Sequence, residues 1–157
     1  MKLEYPNKFE VVTGTSPVAT NGGVTADYIS MKGVLRAIVI VTLKQAVGHA
    51  TGIDPVQATA VAGTSAKAFA KTLPIWSNED TGASDTMVKQ TSAVTYNVTN
   101  DVKSKKVIFI VDAEKLDVDN SFDCLGVTVD DSSQATNLVN IEYLLEKRYQ
   151  GVTTITD

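Results

Sequence analysis

Strict period-two alternation constrains this chain more than any other feature. From Val34 to Lys44 the order of residues puts Leu35, Ala37, Val39, Val41 and Leu43 on one face, and Val34, Arg36, Ile38, Ile40, Thr42 and Lys44 on the other. Only an extended strand separates the two sets in this way. The first face is apolar throughout and reads as core. The second is polar at its ends and apolar only around Ile38 and Ile40, as expected where a strand centre is covered by a loop, a helix or a neighbouring subunit. Val107 to Val111 is apolar on both faces, which suits a central strand or an assembly contact.

Further strand signals lie at Val94 to Val98, Leu125 to Val129 and Val139 to Leu145, all rich in residues that pack well on a pleated surface. In the last run Val139, Ile141, Tyr143 and Leu145 alternate with Asn140, Glu142 and Glu146, so a strand fits better than a helix capped by Ser133. Asp54-Pro55-Val56-Gln57 reads instead as a short helix start that Gly63 would end, because Asp is a good cap, Pro suits the first helical position and Gln can close a capping box. Asp112 to Asp117 reads as one helical turn. Around Pro74 the pattern suggests edge strands on either side of the proline. Residues 1–27, with Thr13-Gly14-Thr15-Ser16-Pro17 and Asn21-Gly22-Gly23, have the composition of turns and read as an extended arm. Residues 28–157 then form the domain. About seven or eight strands, few helices and no βαβ rhythm give an all-β class: an antiparallel β-sandwich or jelly-roll-like barrel with one short helix and an extended N-terminal arm.

The chain has 157 residues, 43% hydrophobic and 20% charged. That is one domain's worth of sequence, apolar enough to bury a core without staples. Its net charge of -4 leaves no basic face for phosphate neutralisation, which argues against nucleic-acid binding. Cys124 is the single cysteine, so no intrachain disulfide exists and a small buried hydrophobe is the expected role. No run has the length or flanks of a signal peptide or a bilayer span, so synthesis and folding in a cytoplasm are expected, and the sequon at Asn97-Val98-Thr99 carries no weight.

Residues that do chemistry are scarce. His49 is the single histidine, in a small-residue loop, and no G-x-S-x-G elbow accompanies it. A dyad with Cys124 would carry no cysteine-hydrolase signature. Asp117-Val118-Asp119-Asn120-Ser121-Phe122-Asp123 spaces oxygen donors as a calcium loop does, yet Phe122 and Thr128 stand where an EF-hand needs glycine and glutamate. Glu142 is the one acid well inside a predicted strand, and its position puts it on the outer face. No cofactor or metal is expected. Trp76, the single tryptophan, fits an interface anchor better than a sugar platform, which needs several rings. A carbohydrate-binding module on a particle surface remains the alternative outside structural proteins.

Several segments together resemble a family of small virion structural proteins of tailed bacteriophages, associated with the capsid. They are Asn21-Gly22-Gly23-Val24-Thr25-Ala26-Asp27-Tyr28-Ile29-Ser30-Met31-Lys32, Pro55 to Thr64, Pro74-Ile75-Trp76, Ser84 to Thr91, Phe122-Asp123-Cys124 and Arg148-Tyr149. None is a chemical motif. The resemblance implies a non-enzymatic accessory or decoration protein of the head, made in the bacterial cytoplasm and localised to the virion. Its partners would be the major capsid protein and further copies of itself, without nucleic acid or membrane. A tail tube or terminator subunit is the alternative among structural proteins. The chain departs from the pattern at Ala60, where an acid is expected, and over Gln45 to Asp54. Expected interface residues are Tyr28, Ile38, Ile40, Gln57, Pro74, Ile75 and Trp76, together with the arm from Asn7 to Tyr28.

Overall fold

The computed structural model describes residues 8–149. Twelve strands follow one another: β1 (Phe9–Ala19), β2 (Val24–Thr25), β3 (Ile29–Ser30), β4 (Val34–Lys44), β5 (Gly52–Ala58), β6 (Lys67–Ala68), β7 (Leu73–Asn78), β8 (Val88–Ala93), β9 (Tyr96–Asn97), β10 (Ser104–Asp112), β11 (Cys124–Val129) and β12 (Leu138–Lys147). Two 3-10 turns, Ala113–Lys115 and Val118–Asn120, link β10 to β11. The large sheet runs β1, β12, β4, β10, β7, β8, and every pairing in it is antiparallel. The small sheet is built on β11 and β5, with β2 and β3 along β11 and β6 and β9 along β5.

Alternation explains the core. The inner face of the large sheet supplies Ala37, Val39, Val41, Leu43, Ile75, Val107, Phe109, Val111, Val139, Ile141, Tyr143 and Leu145, and the small sheet answers with Ile29, Ile53, Leu125, Val127 and Val129. Such interleaving of two inner faces is the core of an antiparallel sandwich. Tyr143 keeps its polar tip satisfied inside this core, where its Oη donates to the Asp27 carbonyl at 3.0 Å.

Four expectations need correcting. The arm is a strand from Phe9 onward: β1 pairs along β12 from Phe9 opposite Glu146 to Ala19 opposite Leu138. Its turn-like residues fit because β1 is an edge strand with register shifts between Thr13 and Thr15 and between Thr15 and Val18, which absorb Gly14 and Pro17. The contact role given to Asn7 lies outside the described residues. The short helix at Asp54 is instead β5. Pro55 is tolerated because β9 pairs at Gly52 and Ile53 while β6 pairs at Val56 and Gln57, so no strand stands opposite the proline on that side. β7 is not an edge strand but lies between β10 and β8, and Pro74 sits where the β8 register shifts between Leu73 and Ile75. Finally, Val34 is buried and Leu35 is 45% exposed, opposite to strict alternation, because the register against β12 slips between Arg36 and Val34.

Candidate functional site

Register fixes which side chains share the outer face of the large sheet. One row across the strands reads Val11, Leu144, Ile38 and Ile110. The next reads Thr13, Glu142, Ile40, Ile108, Trp76 and Lys89. Pro74 lies two residues before Trp76, on the same face at the level of Ile110. The small sheet packs on the opposite side, so these apolar groups point outward, and each is part-exposed. The result is a contiguous apolar band over β12, β4, β10 and β7.

Polar groups border the band on both long sides. Beyond Leu144, Ile38 and Ile110 lie Glu146, Arg36 and Asp112. Arg36 Nε donates to Asp112 Oδ1 at 2.6 Å, and Lys8 Nζ pairs with Glu146 Oε1 at 3.2 Å. The Asp112 carboxylate beside Arg36 raises the guanidinium pKa further above its ordinary value. On the other side lie Asn140, Thr42 and Lys106. An apolar centre with a charged rim is the anatomy of a protein contact surface. Lys89 Nζ sits 5.9 Å from the centre of the Trp76 ring at one end of the band.

Of the residues expected at an interface, Ile38, Ile40, Pro74 and Trp76 are brought together here. Three are not. Ile75 is fully buried on the inner face opposite Phe109. Tyr28 is 9% exposed and lies on the far face of the small sheet, packed with Ala58 and Cys124. Gln57 is a buried tie: its Oε1 accepts from the Asp117 amide at 2.8 Å and its Nε2 donates to the Ala68 carbonyl at 3.2 Å. Sequence reasoning missed Ile108, Ile110 and Leu144 as band members. The two-faced apolar run Val107 to Val111 contained the signal for the first two, and Leu144 stands between Glu142 and Glu146 on the otherwise largely polar side of its strand. Glu142 does lie outward, as its position predicts.

The remaining chemical groups are dispersed. His49 Nδ1 lies 3.0 Å from Thr51 Oγ1, just before the first residue of β5, whereas Cys124 pairs with Ala58 at its end. The length of β5, about 20 Å, separates them, so they form no dyad. Burial, followed by the neighbouring Asp123 carboxylate, pushes the Cys124 thiol up to about 11, away from the reactive thiolate. In the Asp117 to Asp123 segment, Asp117 pairs with Lys67 at 2.5 Å and holds the Asn120 side chain at 2.9 Å. Among the described residues no group of three or more His, Cys, Asp or Glu side chains is placed to hold a metal ion, and no helix is long and apolar enough to cross a membrane.

Fold and surface together define a two-sheet antiparallel scaffold that displays one apolar face. Comparison with protein-family models, with curated proteins and with solved structures gave no match.

Proposed function

We propose that this protein is a non-enzymatic structural subunit of a tailed-phage particle, an accessory protein bound to the capsid shell. The observation that carries the reading is the apolar band formed by Ile38, Ile40, Pro74, Trp76, Ile108, Ile110 and Leu144, part-exposed side by side on the outer face of the large sheet. A single sheet face that stays this apolar is suited to association by burial and shape, and repetition over a lattice multiplies a modest affinity. The resemblance of segments from Asn21 to Tyr149 to virion structural proteins supplies the particle. Around Trp76 the register neighbours are Ile108 and Lys89, not further rings, which favours a protein contact over a sugar platform.

Immunogold electron microscopy of intact particles with an antibody against this chain tests the proposal. Label over the head is the expected outcome. Label confined to the tail would move the protein to the tube or terminator class, and particles free of label would sink the structural reading altogether.

A further inference from the structure

We propose that the band is the interface of a face-to-face homodimer, with its twofold axis running across the strands between the levels of Ile108 and Ile110. The inference rests on the band being a protein-contact surface and assigns its occupant, a second copy of this chain. Other surfaces would then serve the shell.

The argument lies in the order of side chains along β10. Its outward residues run Lys106, Ile108, Ile110, Asp112: a cation, two isoleucines, a carboxylate. An in-plane twofold axis at right angles to the strands reverses that order in the second copy. Lys106 then stands over Asp112 of the second copy, and Asp112 over its Lys106. The same operation sets Ile38 over Ile40, Ile110 over Ile108 and the Pro74 ring over Trp76, while on β12, at the margin of the band, it sets Leu144 over Glu142. Each of these pairings occurs twice, as an isologous contact requires.

An in-plane axis along β10 sets Lys106 over Lys106 and Asp112 over Asp112, and like charges brought together at an interface are strongly disfavoured; a parallel axis between β4 and β10 sets Asp112 over Arg36, with which it is already paired in its own chain, and leaves Lys106 over Thr42. The groups needed for the preferred axis are free to serve. Lys106 makes no ion pair among the described residues, and Asp112 holds Arg36 through Oδ1 alone. A partner of unrelated sequence would have no need of a face that matches its own reversal.

The size is also sufficient. Four strands at about 4.8 Å and four rows at about 6.7 Å, the two polar border rows included, give about 515 Å² per copy, or about 1,030 Å² in all. That passes the roughly 1,000 Å² expected of a specific interface. Two twisted sheets can meet face to face with strand directions within about 30° of each other.

Sedimentation equilibrium on the purified full chain over the micromolar range tests the proposal. The expected mass is twice the 16.7 kDa of one chain. Ile108→Glu should give a monomer with an unchanged far-ultraviolet circular dichroism spectrum. Should that variant fail to fold, the double change Ile38→Thr and Ile40→Thr, which keeps β-branching, should give the same monomer. Lys106→Glu should weaken the dimer about tenfold, and Lys89→Glu by less than about twofold. A wild-type chain that stays monomeric overturns the proposal, whether capsid protein or the chain's own residues 1–7 or 150–157 then cover the band. Weakening by Lys89→Glu but not by Lys106→Glu overturns the axis. A monomer still found on phage heads would refute this inference and leave the structural reading standing, whereas a dimer absent from particles would do the reverse.

Discussion

Gly126→Ala is the substitution whose effect the structure defines most sharply. Gly126 lies in β11 opposite Val56, and a methyl group there would stand 2.5 Å from Tyr28 Cε1 and 2.6 Å from Cδ1. The ring cannot simply retreat, because a Cβ on Gly63 would lie only 2.8 Å from Tyr28 Cε2. Tyr28 is therefore clamped between two glycines. Gly126 is not among the residues with positive φ, so alanine can adopt its backbone, and the ordinary gain of about 0.5–1 kcal/mol from stiffening the unfolded chain applies. Overpacking costs about 1–3 kcal/mol and outweighs it. A net loss of about 1–2 kcal/mol, or about 4 °C in Tm for a domain of this size, is expected in urea and thermal unfolding. Gly63→Ala should cost about 1–2 kcal/mol more, because Gly63 has φ +74° and alanine would be strained there as well. In a Tyr28→Ala background the cost of Gly126→Ala should vanish, a coupling of about 1 kcal/mol or more. A Gly126→Ala protein as stable as wild type, or a cost unchanged when the ring is gone, would refute the clamp.

Two further perturbations follow from buried polar groups. Lys105 is fully buried, its ammonium 3.3 Å from Glu79 Oε2 and 2.8 Å from Thr99 Oγ1, while Glu79 also receives Tyr96 Oη at 2.7 Å. Glu79→Gln should destabilise by about 2 kcal/mol because it strands a buried cation, and Lys105→Met should cost less because the carboxylate it leaves is part-exposed; the opposite ranking in urea titrations would count against this account. Cys124 should react with iodoacetamide at pH 8 far more slowly in the folded than in the unfolded chain. Its folded pKa of about 11 lies above the ordinary 9.0, so its contribution to stability is complete below about pH 9 and is lost as pH rises through about 11. Cys124→Ser should flatten that decline, and an equal decline in both proteins would exclude the thiol as its source.

Where one face of a strand is buried, sequence alone identified the element. β4, β10, β11 and β12 were legible because their inner residues alternate against polar or mixed outer ones, and a slip by one residue would expose the whole set. β1 and β5 were not, because each carries a proline or a run of turn formers whose penalty disappears at a local irregularity. Pro17 lies at a register shift on an edge and Pro55 faces a gap between two short strands. Propensity registers the missing donor, but only the assembled sheet reveals that no acceptor waits for it. The band was half legible for a related reason. Ile38 and Ile40 stand out against Arg36 and Thr42 on their own strand, whereas Ile108, Ile110 and Leu144 join them only through register across β10 and β12. Tyr28, Gln57 and Ile75 were assigned outward on local grounds, and each was claimed by packing partners far away in sequence: Gly126, Asp117 and Phe109.

Strand propensity does not account for the band. Threonine is β-branched like isoleucine and fits a pleated, half-buried surface nearly as well, and this chain uses it at Thr42 on the same face of the same strand. Had the outer face been selected only to form sheet, threonine or valine mixed with charge would have served, as in β8, where Lys89 and Thr91 are exposed. Instead, isoleucine occupies four neighbouring sites over β4 and β10, with Trp76 and Pro74 extending the same surface on β7. An apolar group gains from transfer out of water only if something covers it, by about 25 cal/mol for each Å² removed from contact with solvent. Within the chain the inner face already provides a closed core, so the outer isoleucines add little to folding that threonine would not. On the proposed dimer their advantage would arise on association, and the cation at one end of β10 and the carboxylate at the other would set the direction in which a second copy lies.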